Sequence, residues 1–278
     1  MPNKKVHLHL VSDSTGDTVR SVARASLAQF QQAEVTEHFW TLVRSPAQIG
    51  RVIEGIADKP GVVFLTMLDD NMRSRLLSAC RSMSMPAVSL LDGAISALGS
   101  VLGEQSKNQP GLQHAMDEAY FNRISAMNYA MAHDDGQSLW SLNEADVILC
   151  GVSRTSKTPT CVYLANRGLK AANVPFVPTS PPPQELLDAK DTFVVGLTAD
   201  PSRLIQVRRH RLVHLHGEDT ETDYVDTDQV RQEVIEARRY FLARNWPVID
   251  VSRRSIEETA ASIIQLYERH QEARHANA

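Results

Sequence analysis

Ten residues, GVSRTSKTPT from Gly151 to Thr160, carry the densest chemistry in the chain. A glycine closing an apolar run, a small residue five positions on, and then Lys-Thr is the spacing of a loop whose amides curl around a phosphate at a helix N-terminus. In such a loop Gly151 makes the turn, and Val152, Ser153, Arg154, Thr155 and Ser156 offer backbone N–H groups. Lys157 reaches the terminal phosphates, and Thr158 offers its hydroxyl to a magnesium ion. The glycine usual before the lysine is here Ser156, small enough for close approach but costlier than glycine at positive φ. Pro159 falls in the first helical turn, where its missing N–H would be unsatisfied in any case.

Phosphoryl transfer also needs cations that close over the moving group, because its catalysis is mostly positioning and charge stabilisation. Arg203, Arg208, Arg209 and Arg211 fall within one helical stretch that reads as such a lid, with Arg208 and Arg211 as its catalytic cations. HDDG, His133 to Gly136, reads either as a helix terminus or as a pair of carboxylates facing a metal-bound phosphate. Near the start, DSTG follows an apolar run and opens a helix, so Ser14, Thr15 and Gly16 either bind a second anion or simply cap that helix. DSTG also fits D-x-x-G, but it precedes the loop, and no N-K-x-D is present, which argues against a GTPase.

These residues need an α/β frame. VHLHLVS, EHFWTLV, GVVFLTM and PAVSLL read as strands alternating with the helices GDTVRSVARASLAQF, SPAQIGRVIEGIA and DNMRSRLLSACRSM, the pattern of a parallel sheet over residues 1–104. EQSKNQPG then loses apolar content, and residues 105–144 read as a linker and a bridging helix. Met116, Tyr120, Ile124, Met127 and Met131 fall on one stripe of that helix, predicting its buried face. Residues 145–278 follow strand, loop and helix in the order a phosphate loop demands, giving a P-loop kinase-like α/β domain. PTSPPPQELL reads as a stiff loop, DPSRLIQVRRHRL and DQVRQEVIEARRYFLARN as helices, and Ser255 with Glu258 as the capping box of the last helix. No internal repeat is visible.

Composition removes other classes. A formal charge of -4 gives no general pull toward nucleic acid or an anionic membrane. Three cysteines without a C-x-x-C pair suit a reducing cytoplasm and neither a disulfide framework nor a zinc knuckle. His7 and His9 share a strand face but lack carboxylate or cysteine partners at ligand spacing, and His210, His214 and His216 are read as equally bland. No apolar run is long enough to span a bilayer.

VSDSTGDT, YFNRISAMNYAMAHDDG, GVSRTSKTPT, YLANRG, ANVPFVP, VGLTADPSRL and IDVSRRSIEETA, in that order over nearly the whole chain, resemble the pyruvate, phosphate dikinase regulatory protein family. The resemblance implies a bifunctional serine/threonine kinase and phosphorylase. It would place the β-phosphate of ADP on an active-site threonine of the dikinase, releasing AMP, and remove that group with inorganic phosphate, yielding pyrophosphate. Gly151 to Thr158 would then be the ADP site, with Mg2+ beside Thr158, and Asp13, Asp134 and Asp135 the candidates for general base. A close relative acts on phosphoenolpyruvate synthase; TSK where that relative often reads C-G-K, together with SDSTG, favours the dikinase. Relatives and the bridging helix imply a homodimer. A small-molecule kinase of shikimate or nucleotide type, recognised by the TADPSRL lid, and a nucleotide-sensing adaptor are the competing readings.

Overall fold

Eight strands, every one paired in parallel, and ten α-helices make up a computed structural model that describes residues 5–30, 34–112, 118–189, 192–216 and 225–276. Met116 of the expected stripe lies outside the described residues, as do the side chains of His214 and His216. The chain divides into two compact units, residues 1–115 and 116–278.

The first unit runs β1 (Lys5–Ser12), α1 (Asp17–Leu27), β2 (Glu34–Trp40), α2 (Pro46–Asp58), β3 (Gly61–Thr66), α3 (Asp70–Ser82), β4 (Ala87–Ser89) and α4 (Asp92–Leu102). Its sheet has the order β2-β1-β3-β4, with Ser12 opposite Thr66 at the C-terminal ends of the central pair. Side chains alternate across β1. Leu8 and Leu10 pack on Val19 and Ala23 of α1, while Val11 faces Ile49, Val52 and Ile56 of α2 and Leu76 of α3. Helices therefore cover both faces, the arrangement that all-parallel sheets require.

The second unit runs α5 (Glu118–Ala132), a 3-10 segment (Leu139–Glu144), β5 (Val147–Gly151), α6 (Lys157–Ala165), β6 (Ala171–Pro175), α7 (Gln184–Asp188), β7 (Phe193–Thr198), α8 (Pro201–His216), α9 (Thr227–Ala243), β8 (Val248–Asp250) and α10 (Ile256–Ala276). Its sheet order is β6-β5-β7-β8, so the strand order of the first unit recurs with β5 in the place of β1. That recurrence has no trace in the sequence. Ile148, Cys150 and Val194 pack beneath Leu204 of α8 and Phe241 of α9, and Val147, Leu149, Val195 and Leu197 beneath α6 and α10. Gly196 is needed there, since a Cβ would sit 2.3 Å from the Phe241 ring. The capping box forms as expected: Glu258 N donates to Ser255 Oγ at 3.1 Å and Ser255 N to Glu258 Oε2 at 2.9 Å.

Several local expectations are corrected. β2 begins at Glu34 and ends at Trp40, because Leu42 turns to a φ of 55° and Val43 N bonds to Ser12 O instead. DGAISALGSVL forms α4, and QELLD forms the short α7 within the expected loop. The buried face of α5 is not the methionine stripe, since Met131 is 75% exposed and Ile124 is also exposed. Ala126, Tyr129 and Ala130 are buried instead, the two alanines letting α5 lie close against Leu164 and Ala165 of α6. No helix among the described residues is long and apolar enough to cross a membrane.

Candidate functional site

Between β5 and α6 the backbone twice enters the left-handed region, at Arg154 (φ 71°) and at Ser156 (φ 59°). Ser156 thus takes the conformation at which glycine would be free, at a cost on the order of 1–2 kcal/mol. The fold compensates around it. Thr155, fully buried, donates to Val152 O at 2.9 Å and closes the loop on itself. Thr160 donates to Ser156 O at 2.7 Å. Gly151 admits no side chain, because a Cβ would lie 2.7 Å from Leu197 O and 2.8 Å from Thr155 Oγ1.

Lys157 begins α6, is only 6% exposed, and donates from Nζ to Val152 O at 3.1 Å. Burial pushes its ammonium below the ordinary lysine value, against the opposing pull of Cys150, Asp135, Cys161 and Asp134. The neighbouring thiol of Cys150 is pushed up to about 12, chiefly by burial, and that of Cys161 is also raised. Both cysteines remain protonated packing groups at neutral pH.

Next along α6, Thr158 Oγ1 donates to Asp134 Oδ1 at 2.8 Å. Asn173 of β6 completes the knot, its Nδ2 lying 2.6 Å from Asp134 Oδ1 and 3.1 Å from Thr158 Oγ1. A carboxylate only accepts, so the amide nitrogen must be the atom that faces Asp134. Asn173 Oδ1 is buried with no hydrogen-bond partner among the described residues. The HDDG turn is stitched to β6 by Asn173 N to His133 O (2.9 Å) and Gly136 N to Asn173 O (2.8 Å). His133 anchors the turn from below: its ring stacks on Tyr129 at 3.7 Å, and Nδ1 donates to Tyr129 O at 2.8 Å. Asp135, at φ 52°, is exposed on the near side.

Ser153, Arg154, Ser156, Lys157 and Thr158 of the expected loop line one cleft of about 720 Å3 with Asp134 and Asp135, and Arg211 lies on its rim; Gly151, Val152 and Thr155 are buried behind it. That volume lies in the range of pockets holding nucleotide-sized ligands. Hard oxygen donors meet there: the Thr158 hydroxyl and the Asp134 carboxylate. This set fits Mg2+, which keeps several waters and takes one or two carboxylates plus substrate phosphates.

The other expected residues are placed elsewhere. Arg208 is 1% exposed, bonded through Nη2 to Glu233 Oε2 of α9 at 2.6 Å and lying 3.4 Å from Ser153 O. It props the loop from behind, where a mobile lid cation would be exposed. Arg203 lines a different cleft with Asp250 and Arg254, and Arg209 is exposed. Asp13 belongs to the first unit, where its Oδ2 accepts from Leu68 N at 2.6 Å and burial pushes its carboxyl above the usual range. Ser14, Thr15 and Gly16 do not form a side-chain cap: Gly16 itself is the N-cap at φ 87°, and Thr15 donates to Asp17 at 2.7 Å. Asn173 was not among the expected site residues, and no spacing rule points to a lone asparagine in an apolar strand.

Comparison with known proteins bears on this arrangement. The family described as kinase/pyrophosphorylase matches residues 8–264. A protein of Caulobacter vibrioides is 55% identical over 260 residues, covering 94% of this chain and 82% of its own. One of Erythrobacter litoralis is 52% identical over 268 residues, with 96% of each chain covered, and one of Rhodospirillum rubrum is 54% identical over 259 residues, covering 93% of this chain and 94% of its own. All three carry the provisional name of pyruvate, phosphate dikinase regulatory protein.

Proposed function

Since this chain belongs to the kinase/pyrophosphorylase family, we propose that its second unit transfers the β-phosphate of ADP to a threonine hydroxyl of pyruvate, phosphate dikinase and, in reverse, removes that group with inorganic phosphate. The observation that carries the reading is the knot of Thr158, Asp134 and Asn173 set against the left-handed turn that presents Lys157.

In this reading the amides of Ser153 to Thr158 enclose the end of the diphosphate, where the dipole of α6 adds positive potential. The Lys157 ammonium leaves Val152 O and turns to the phosphate oxygens, which accept from it more strongly than a neutral carbonyl does. Bound Mg2+ would neutralise charge on the phosphate oxygens. Asp134 and Thr158, held by Asn173, would orient it.

The acceptor oxygen attacks the β-phosphorus, the bond between that phosphorus and the bridging oxygen breaks, and AMP departs. The hydroxyl proton passes to a carboxylate. Asp135 suits that role best, because it is exposed to the cleft and no side-chain hydrogen bond ties it among the described residues, whereas Asp134 is engaged by two donors. In reverse, an oxygen of inorganic phosphate attacks the phosphothreonine, pyrophosphate forms, and the threonine oxygen recovers a proton from the same carboxyl. Arg211 on the rim of the cleft supplies charge for either direction.

The test is transfer from ADP labelled in its β-phosphate, with dikinase and phosphoenolpyruvate synthase offered side by side. Label on a dikinase threonine supports the reading. Label moving only from ATP, or only to a small metabolite, contradicts it.

A further inference from the structure

We propose that the cleft at the C-terminal ends of β7 and β8 is the nucleoside site of the second unit, holding the ribose and base of the nucleotide whose phosphates enter the loop before α6. The inference rests on the transfer reading above, which gives it a direction. In phosphoryl transfer the attacking oxygen, the phosphorus and the leaving oxygen stand roughly in line. Asp135, the carboxylate assigned the acceptor's proton, belongs to the turn stitched to β6, where Gly136 N donates to Asn173 O at 2.8 Å. In the sheet order β6-β5-β7-β8 that turn flanks the loop on one side. The acceptor then arrives from the β6 side, and AMP must leave on the opposite side, over β7 and β8.

A cleft of about 660 Å3 opens there, lined by Asp200, Arg203, Asp250, Ser252, Arg253 and Arg254. That volume suits a nucleoside. Two observations join it to the phosphate loop. Arg203, Val207 and Arg211 fall at four-residue steps on α8, so one helix face runs along both clefts, Arg203 lining this one and the other two the loop's. On the other face of the sheet α10 packs against α6, so the segment that opens α10, with Ser252 to Arg254, stands across β7 from the loop that opens α6. Two strand spacings, about 10 Å, separate the ends of β5 and β8. A ribose with its base reaches that far.

The lining has the chemistry of a nucleoside monophosphate site. Asp200 Oδ1 accepts from Ser202 N at 2.9 Å and Arg203 N at 3.2 Å, and Asp250 Oδ1 from Ser252 N at 2.9 Å. Both carboxylates are thus held through one oxygen, and Oδ2 of each is left to accept from ribose hydroxyls or an exocyclic amine. Arg203, Arg253 and Arg254 are exposed. A guanidinium pairs with the α-phosphate and offers a flat face on which a base stacks. An acidic peptide would also meet these arginines, but it would set its carboxylates against Asp200 and Asp250. Pyrophosphate and inorganic phosphate have neither ribose nor base, so they should fill the loop without using this cleft.

Calorimetric titration of the full chain with ADP and with pyrophosphate, each with Mg2+, tests the assignment. Arg203→Met combined with Arg254→Met should weaken ADP about tenfold or more, the loss of a hydrogen bond to a charged group, and leave pyrophosphate affinity within about twofold. Retained pyrophosphate binding also shows that the variant is folded. On the wild-type chain, which needs no substitution, AMP should displace ADP. If transfer of labelled β-phosphate fails while the arginine variant still separates ADP from pyrophosphate, the transfer reading falls and the nucleoside site stands. Unchanged ADP affinity in the variant, an equal loss of both ligands, or AMP without effect on bound ADP overturns the proposal even where transfer proceeds. So does a variant that keeps its ADP affinity and binds the protein acceptor more weakly, which assigns the arginines to docking.

Discussion

Replacing Asn173 with leucine removes one amide while roughly keeping the shape of a buried side chain. The amide's bond to Asp134 is short, 2.6 Å, and its acceptor is a carboxylate, so it belongs to the class worth about 1.5–3 kcal/mol. Leucine also deletes the unpartnered Oδ1, whose burial costs a similar amount, so folding stability should move by less than about 1 kcal/mol. The loss should fall on catalysis. If Asn173 holds Asp134 and Thr158 in register for the transferring group, kcat at saturating ADP should drop about 10–100-fold, because each 1.36 kcal/mol is a decade in rate. Asn173→Asp should lose activity as well, since it puts a carboxylate oxygen where the amide donates to Asp134. Single-turnover transfer of labelled β-phosphate, beside urea denaturation of the same preparations, separates the two effects. A leucine variant with wild-type kcat, or one whose loss is fully explained by unfolding, would refute the reasoning.

Three further outcomes follow from the same geometry. A bound diphosphate should pull the Lys157 ammonium back up from its burial-depressed value, so ADP binding should take up a proton at alkaline pH and weaken as pH rises toward the ordinary lysine value of 10.5; calorimetry in two buffers of different ionisation enthalpy reads this, and binding without proton uptake contradicts it. His9 is buried beside Trp40, and burial lowers its imidazole below 6.5, so the unfolded chain binds the proton first as pH falls. Stability from His9 is then complete above 6.5 and declines below it, which Trp40 fluorescence in a Trp140→Phe, Trp246→Phe background should report as a falling urea midpoint that is absent in His9→Gln. Ser156→Gly relieves a left-handed residue and should stabilise the chain by up to about 1 kcal/mol, whereas the same change at a right-handed helical position costs about 0.5–1 kcal/mol; a loss of that size in urea denaturation would argue against the turn.

The elements legible in the sequence are those whose signals are local. β1 alternates Val and Leu with His7 and His9, β3 and β7 are short runs dominated by Val, Leu and Phe, and α10 announces itself through Ser255 and Glu258. α4 was hidden because it has no side-chain cap, two internal glycines and no buried residue. α7 was hidden behind three prolines, the last of which is its N-cap. The large apolar side chains of α5 point to the wrong face, because close helix packing selects Ala126 and Ala130 instead. In the site, Gly151 to Thr158 can be read directly because the loop's chemistry lies in consecutive residues, and HDDG was visible as one of two alternatives. Asn173 was not visible, since its role depends on β6 lying beside β5, a pairing no spacing encodes. Arg208 looked like its neighbours in sequence, and only its burial against Glu233 sets it apart from Arg211. The repeated strand order was equally hidden, because topology survives where residue identity does not.

The central claim is that the turn between β5 and α6 grips the end of a diphosphate, and a crystal structure of the chain grown with ADP and Mg2+ tests it most directly. The account predicts the β-phosphate within hydrogen-bonding distance of the amides of Ser153 to Thr158, with Lys157 Nζ moved from Val152 O onto its oxygens. ADP bound elsewhere in the chain, with Lys157 still on Val152 O, would contradict it.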